Sequence, residues 1–172
     1  TFRIRDVPVY TTGLAVIVNR TLLEVVHHNS ESPEHITHHH VERWRDQKQS
    51  RICANLCLSR GPGRHFHVYN THLSLPTPFA REFWLSRQRM GYGVNQLREA
   101  HKLLQFIRRC AGDEPFVVCG DFNSSPGSPV YRFLTGEGLC APEALACHHP
   151  TAGFMRLRMH VDHLFAGGEA TW

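Results

Sequence analysis

The chain has 172 residues, 41% of them apolar and 20% charged, and a formal charge of +4 from 19 basic and 15 acidic residues. That composition supports one domain with its own core and excludes a disordered chain. No apolar run reaches the roughly 18 residues of a membrane-spanning helix, and no secretory signal is visible. The mild basic excess permits a polyanionic partner without demanding one.

The sequence opens on Thr1 and runs almost directly into Gly13-Leu-Ala-Val-Ile-Val18, a short apolar run that predicts a buried strand. Such a start suggests a piece of something longer. From His27 to Gln49 the chain is polar and rich in His. Arg51 to Leu58 alternates as a strand, with Ile52, Ala54, Leu56 and Leu58 on one face and Arg51, Cys53, Asn55 and Cys57 on the other. Ser59 to Arg64 is dense turn chemistry and His65 to Leu73 is strand again, so the two runs form a hairpin. Leu75 to Tyr92 lacks periodicity and reads as a long functional loop.

Val94 to Cys110 carries the helical spacing Val94, Leu97, Ala100, Leu104, Ile107, with Arg108 and Arg109 favouring its C-terminal end and Gly112 stopping it. Phe116 to Gly120 is a buried strand. Ser128 to Leu134 is a short helix with Ser128 as N-cap and Pro129 in its first position. Met159 to Phe165 is the last strand. Strands and helices alternate within one domain, an α/β or α+β layered fold.

Three polar clusters sit at strand ends. In Tyr69-Asn-Thr-His72, an extended backbone points Phe66, Val68, Asn70 and His72 the same way. Phe66 and Val68 would then face a core while Asn70 and His72 line its rim. In Gly120-Asp-Phe-Asn-Ser124, continued extension would put Asp121 and Asn123 on one side. A carboxylate there can bind a metal or deprotonate a water, and the carboxamide can donate to a phosphate oxygen. The same residues also make an ordinary turn. In His160-Val-Asp-His163, Asp162 and His163 point to opposite faces unless a bulge lets both reach one site. Together His72, Asp121, Asn123, Asp162 and His163 form a set suited to a hard cation and proton transfer. Oxygen ligands of this kind suit Mg²⁺, which keeps waters and takes one or two carboxylates plus substrate phosphate.

Asn70-Thr-His-Leu73, Gly120-Asp-Phe-Asn-Ser-Ser-Pro-Gly-Ser-Pro-Val-Tyr131 and Val161-Asp-His-Leu-Phe165, in this order, resemble the endonuclease/exonuclease/phosphatase superfamily and most of all its deadenylase-like branch. The resemblance runs from about Gly13 to Phe165. It implies a DNase I-like two-sheet β-sandwich flanked by helices, with the N-terminal strands missing from this chain. It also implies phosphoester hydrolysis dependent on Mg²⁺ or Mn²⁺ by in-line attack of water. Carried over by motif, Asp121 would orient or activate the water, Asn123 would hold the phosphate, and His72 would contact it or assist the leaving group. Asp162 would bind metal, and His163 would hydrogen-bond the phosphate and stabilise developing charge. The family's early Asn and its metal-binding Glu in a Gln-Glu context have no counterpart before Gly13. Between Ser124 and Val161 the acids are Glu137 and Glu143, and neither is placed by sequence to orient His163.

The expectation is therefore a single domain over residues 1–172, an N-terminally truncated fragment with poor solubility and weak or no activity alone. A complete sandwich usually takes upwards of about 200 residues. Nucleic acid or nucleotide is the first substrate class and a phospholipid head group the second. The rival expectation is a binding module that keeps the fold without a complete metal site. In Phe79-Ala-Arg-Glu-Phe-Trp84, Arg81 and Trp84 are candidates to grip phosphate and stack a base. The same mixture can dip into a lipid interface or pack on the domain body. His27, His28, His35 and His38-His-His40 offer a transition-metal spacing without a nearby Cys or paired carboxylate to support a defined geometry and read as a solvated segment. The six cysteines contain no Cys-x-x-Cys pair and read as reduced, consistent with a cytoplasmic protein. No protein partner is indicated.

Overall fold

The computed structural model describes residues 2–4, 7–10, 13–36, 51–75, 94–141, 150–154 and 157–168. Its centre is a mixed sheet. Strands β3 (Glu24–His28) and β4 (Glu34–His35) both pair with β5 (Ile52–Ser59), and the order continues β5, β6 (His65–His72), β7 (Phe116–Asp121), β10 (Asp162–Gly167). Short antiparallel pairs are made by β1 (Phe2–Ile4) with β2 (Val7–Tyr10) and by β8 (Ala152–Phe154) with β9 (Leu157–Met159). The β6–β7 pairing is parallel, and the others in the main sheet are antiparallel. A parallel neighbour requires a crossover, and the crossover contains helix α1 (Val94–Ala111).

The predicted hairpin forms: β5 and β6 pair from Cys53–Thr71 to Ser59–His65, and the turn is closed by Arg60 N–H to the Arg64 carbonyl at 3.1 Å. Helix α1 ends where expected, at Gly112 with φ +57°, whose N–H reaches the Arg108 carbonyl. Helix α2 (Pro129–Gly136) starts on the predicted cap, with Ser128 Oγ accepting from Tyr131 N–H at 3.3 Å and Pro129 in the first turn. The core lies between the sheet and these helices. Tyr69, Leu103, Ile107, Val118, Leu134 and Phe165 are fully or almost fully buried there. Phe106 and Phe116 pack T-shaped against the Tyr69 ring.

Three expectations are corrected. Gly13 to Val18 is not a strand. It makes no ladder, and it alternates half-buried Leu14, Val16 and Val18 with exposed Ala15 and Ile17. Its apolar side bounds a groove of about 560 Å³ against Ile52, Ala54 and Leu56 on the outer face of the sheet.

Phe66 and Val68 do not face the core. The buried side of β6 carries His67, Tyr69 and Thr71, and that of β5 carries Cys53, Asn55 and Cys57. This polar-looking face is buried because its polar atoms have partners. Thr71 Oγ1 donates to the Ile52 carbonyl, and His67 bonds Asn55 and Glu114. The last predicted strand is broken at His160 and Val161, where the Val161 carbonyl instead accepts Phe122 N–H at 2.9 Å.

Candidate active site

Three strands bring the predicted polar residues to one end of the sheet. His72 is the register partner of Asp121 in the parallel β6–β7 pair, and Asp121 is the partner of Asp162 in the antiparallel β7–β10 pair. Register partners share a sheet face, so His72, Asp121 and Asp162 stand in a row with Asp121 in the middle. His72 Nε2 lies 3.5 Å from Asp121 Oδ2. His72 and Asp162 are exposed and Asp121 is half-buried.

Asp121 feels opposing influences. Burial pushes its carboxyl above the ordinary value, and the negative charge of Asp162 adds to that; Asn123 N–H, His72 and Arg51 pull the other way, and the net direction is up. The backbone beside it is tightly fitted. Gly120 has φ +142°, and a Cβ there would run into the Thr71 carbonyl, so only glycine lets β7 approach β6 this closely.

The expected common side for Asp121 and Asn123 is not found. The strand ends at Asp121, Phe122 turns wholly inward, and Asn123 adopts a left-handed φ of +47°. Asn123 N–H donates to Asp121 Oδ1 at 2.8 Å, the turn that Asp and Asn favour. The Asn123 side chain is buried and donates through Nδ2 to the Leu73 carbonyl at 2.9 Å, tying the end of β7 to the end of β6.

The bulge that would have swung Asp162 and His163 together is also absent. β10 keeps unbroken register with β7 from Asp162 to Gly167. Asp162 therefore faces out with Asp121, while His163 is buried on the opposite face. There Phe122, Tyr131 and Phe165 surround its ring, and His160 stacks on it. His163 Nε2 donates to the Ser124 carbonyl at 2.6 Å. Asn70 shares the His72 face, half-buried, and donates to the Ala15 carbonyl at 3.0 Å. Arg81, Trp84 and His38 to His40 lie outside the described residues; His27, His28 and His35 are exposed on β3 and β4.

Sequence reasoning missed the supports of this site. Gln96 of α1, fully buried, donates to the carbonyls of Asn123 at 2.7 Å and Phe122 at 3.4 Å. Glu99, one turn later and equally buried, accepts from both the N–H and the hydroxyl of Ser74, which also receives Arg51 Nε. The signal was available: Gln96 and Glu99 interrupt the apolar stripe of a helix, at positions i and i+3 on one face. Glu137, one of the two acids considered as a partner for His163, instead pairs with Arg108 at 2.8 Å.

Asp121 and Asp162 fit a hard divalent cation in donor type: two carboxylates on one face, with one carboxyl burdened by the other's charge. Ser124 Oγ, beside the Asp121–Asn123 turn, is a buried hydroxyl without a hydrogen-bond partner among the described residues. No helix among the described residues is long and apolar enough to cross a membrane.

Known proteins place this arrangement. Nocturnin of Drosophila melanogaster is 33% identical over 98 residues, which are 56% of this chain and 13% of that protein. The human nocturnin catalytic domain with bound sulfate anion superposes with a TM-score of 0.59 at 18% identity, over 86% of this chain and 49% of that one. ANGEL2, a 2′,3′-cyclic phosphatase, gives 0.58 at 19% identity, over 87% of this chain and 55% of that one. This chain thus spans about half the length of these solved structures and a smaller share of the curated protein. The mixed sheet with helices α1 and α2, as seen among the described residues, is the DNase I-like α/β fold of these neighbours. With residues 5–171 matching its family pattern, the chain belongs to the Endonuclease/Exonuclease/phosphatase family.

Proposed function

We propose that the chain carries part of the catalytic site of a metal-dependent phosphoesterase, acting on a nucleic acid or nucleotide in preference to a phospholipid head group. The observation that carries this reading is the register of three neighbouring strands, which sets His72, Asp121 and Asp162 side by side at one sheet end. The family match and the likeness to nocturnin and to a 2′,3′-cyclic phosphatase support it.

Mg²⁺ or Mn²⁺, held by Asp162 and Asp121, would supply charge neutralisation at the phosphate. Asp121 accepts a proton from the attacking water as the water oxygen bonds to phosphorus. The bond from phosphorus to the leaving oxygen breaks, and that oxygen takes a proton from solvent. His72, 3.5 Å from Asp121, hydrogen-bonds the phosphate. Asn123 fixes the turn that aims Asp121, and His163 holds the Ser124 carbonyl behind it. Asn70 extends the same face toward the substrate, and Arg81 and Trp84 are the proposed phosphate and base contacts of the segment after β6.

The test is hydrolysis by the longest natural protein containing residues 1–172, given Mg²⁺ and, in parallel, a single-stranded oligonucleotide, a nucleotide and sphingomyelin vesicles. Metal-stimulated cleavage of a nucleic acid or nucleotide that falls at least about 100-fold in Asp121→Asn, with an unchanged circular dichroism spectrum, is the expected result. Failure of all three substrates overturns the proposal and leaves a binding module that keeps the fold.

A further inference from the structure

At the opposite end of the same sheet lies a second cluster of metal-ligating groups. Cys57 of β5 and His67 of β6 are register partners on the core-facing side, both buried. Glu114, in the turn between α1 and β7, reaches them from the side, with His67 Nε2 and Glu114 Oε2 2.9 Å apart. One ligand atom from each of Cys57, His67 and Glu114 lies within 4.8 Å of the other two, and this is the group of three so arranged among the described residues. His72 lies five positions along β6 from His67, roughly 16 Å of extended chain. The cluster is therefore separate from the Asp121 site.

We propose that Cys57, His67 and Glu114 form a binding site for a borderline transition-metal ion of the Zn²⁺ class. The donor set is one sulfur, one imidazole nitrogen and one carboxylate, which suits Zn²⁺ and not a hard cation that requires oxygen alone. Zinc bonds of 2.0–2.3 Å in a tetrahedron separate the ligand atoms by roughly 3.3–3.8 Å, so closing the present triangle takes shifts of about 1 Å. Asn55 Oδ1 stands 3.5 Å from His67 Nδ1, on the far side of the ring from Glu114. With an ion bound, a proton held there would leave the Nε2 lone pair to the metal in place of the proton that Nε2 shares with Glu114, the usual outer support of a metal-bound His.

Glu114 is half-exposed, and this gives an entry path; His65 Nδ1, 4.0 Å from Glu114 Oε1, flanks the fourth position. An ion there would staple the β5–β6 hairpin to the turn leading into β7. The reading is independent of the phosphoesterase proposal.

The test is titration of the whole chain with Co²⁺ alone and Zn²⁺ alone. Co²⁺ should produce a near-ultraviolet thiolate-to-metal band that Zn²⁺ abolishes by displacement. That band should vanish in Cys57→Ser, persist in Asp162→Asn, and require at least about ten times more Co²⁺ in Glu114→Gln. Glu114 is half-exposed, so its variant tests the site even if Cys57→Ser fails to fold. Stoichiometric Co²⁺ without a thiolate band, a band that survives Cys57→Ser, or unchanged affinity in Glu114→Gln would overturn the proposal.

Discussion

Asp121 sits among charges of both signs, and burial decides the balance. Its carboxyl binds a proton more tightly in the folded chain than in the unfolded one, where the ordinary value is 3.8. The favourable contribution is therefore complete below pH 3.8 and is lost as pH rises through the folded-state value, so at neutral pH the ionised group costs stability. Asn keeps the acceptor for Asn123 N–H and removes the charge. Asp121→Asn should therefore raise the thermal midpoint by on the order of 2 °C at pH 7 in chelator, with the gain fading as pH falls through the folded-state value and absent below pH 3.8. A midpoint lowered at pH 7 would show that the pull of His72 and Arg51 outweighs burial. His72 and Asp121 were readable from sequence because each closes an apolar strand, and Asp162, which opens β10, was readable only through its motif. The inward turns of Asn123 and His163 were not readable. The first depends on a left-handed φ that Asn tolerates without requiring, and the second on β10 keeping its register without a bulge.

Helix α1 holds the site from behind. Its apolar spacing, its C-terminal arginines and the Gly112 stop made it the most legible element, because period and cap agree. The N-cap and Pro129 made α2 legible for the same reason. Gln96 and Glu99 show in the sequence only as polar breaks in the apolar stripe; their partners, 26 and 25 residues away on the turns after β7 and β6, do not show there. Removing the Gln96 amide leaves the Phe122 and Asn123 carbonyls buried without their donor, a cost of about 1–3 kcal/mol. Gln96→Ala should lower the urea midpoint accordingly. Gln96→Glu should lower it further at pH 7, because a carboxylate would face two carbonyl oxygens. A Glu variant as stable as the Ala variant would show that the turn rearranges to expose those carbonyls to water.

On the scale of the whole molecule, alternation in β5 and β6 told which residues share a face but not which face is covered. Apolar content pointed Phe66 and Val68 toward a core. The chain instead buries Cys53, Asn55, His67, Tyr69 and Thr71 beneath α1 and leaves Ile52, Ala54, Leu56, Phe66 and Val68 half-buried. Tertiary cover, set by where the crossover helix lands, overrode the hydrophobic count. The two sides should respond differently to the same truncation. Leu104, 3% exposed and enclosed by the core, should lose about 2–5 kcal/mol as Leu104→Ala, because a cavity is added to the lost transfer energy. Leu56 borders an open groove lined across from it by Leu14, Val16 and Val18, so Leu56→Ala creates no new enclosed void. It should cost about 1 kcal/mol, the transfer energy of the part of its side chain that is buried. Urea denaturation of the two variants in parallel, with equal m-values, measures the difference. Equal losses would mean that the outer face is covered in solution as completely as the inner one.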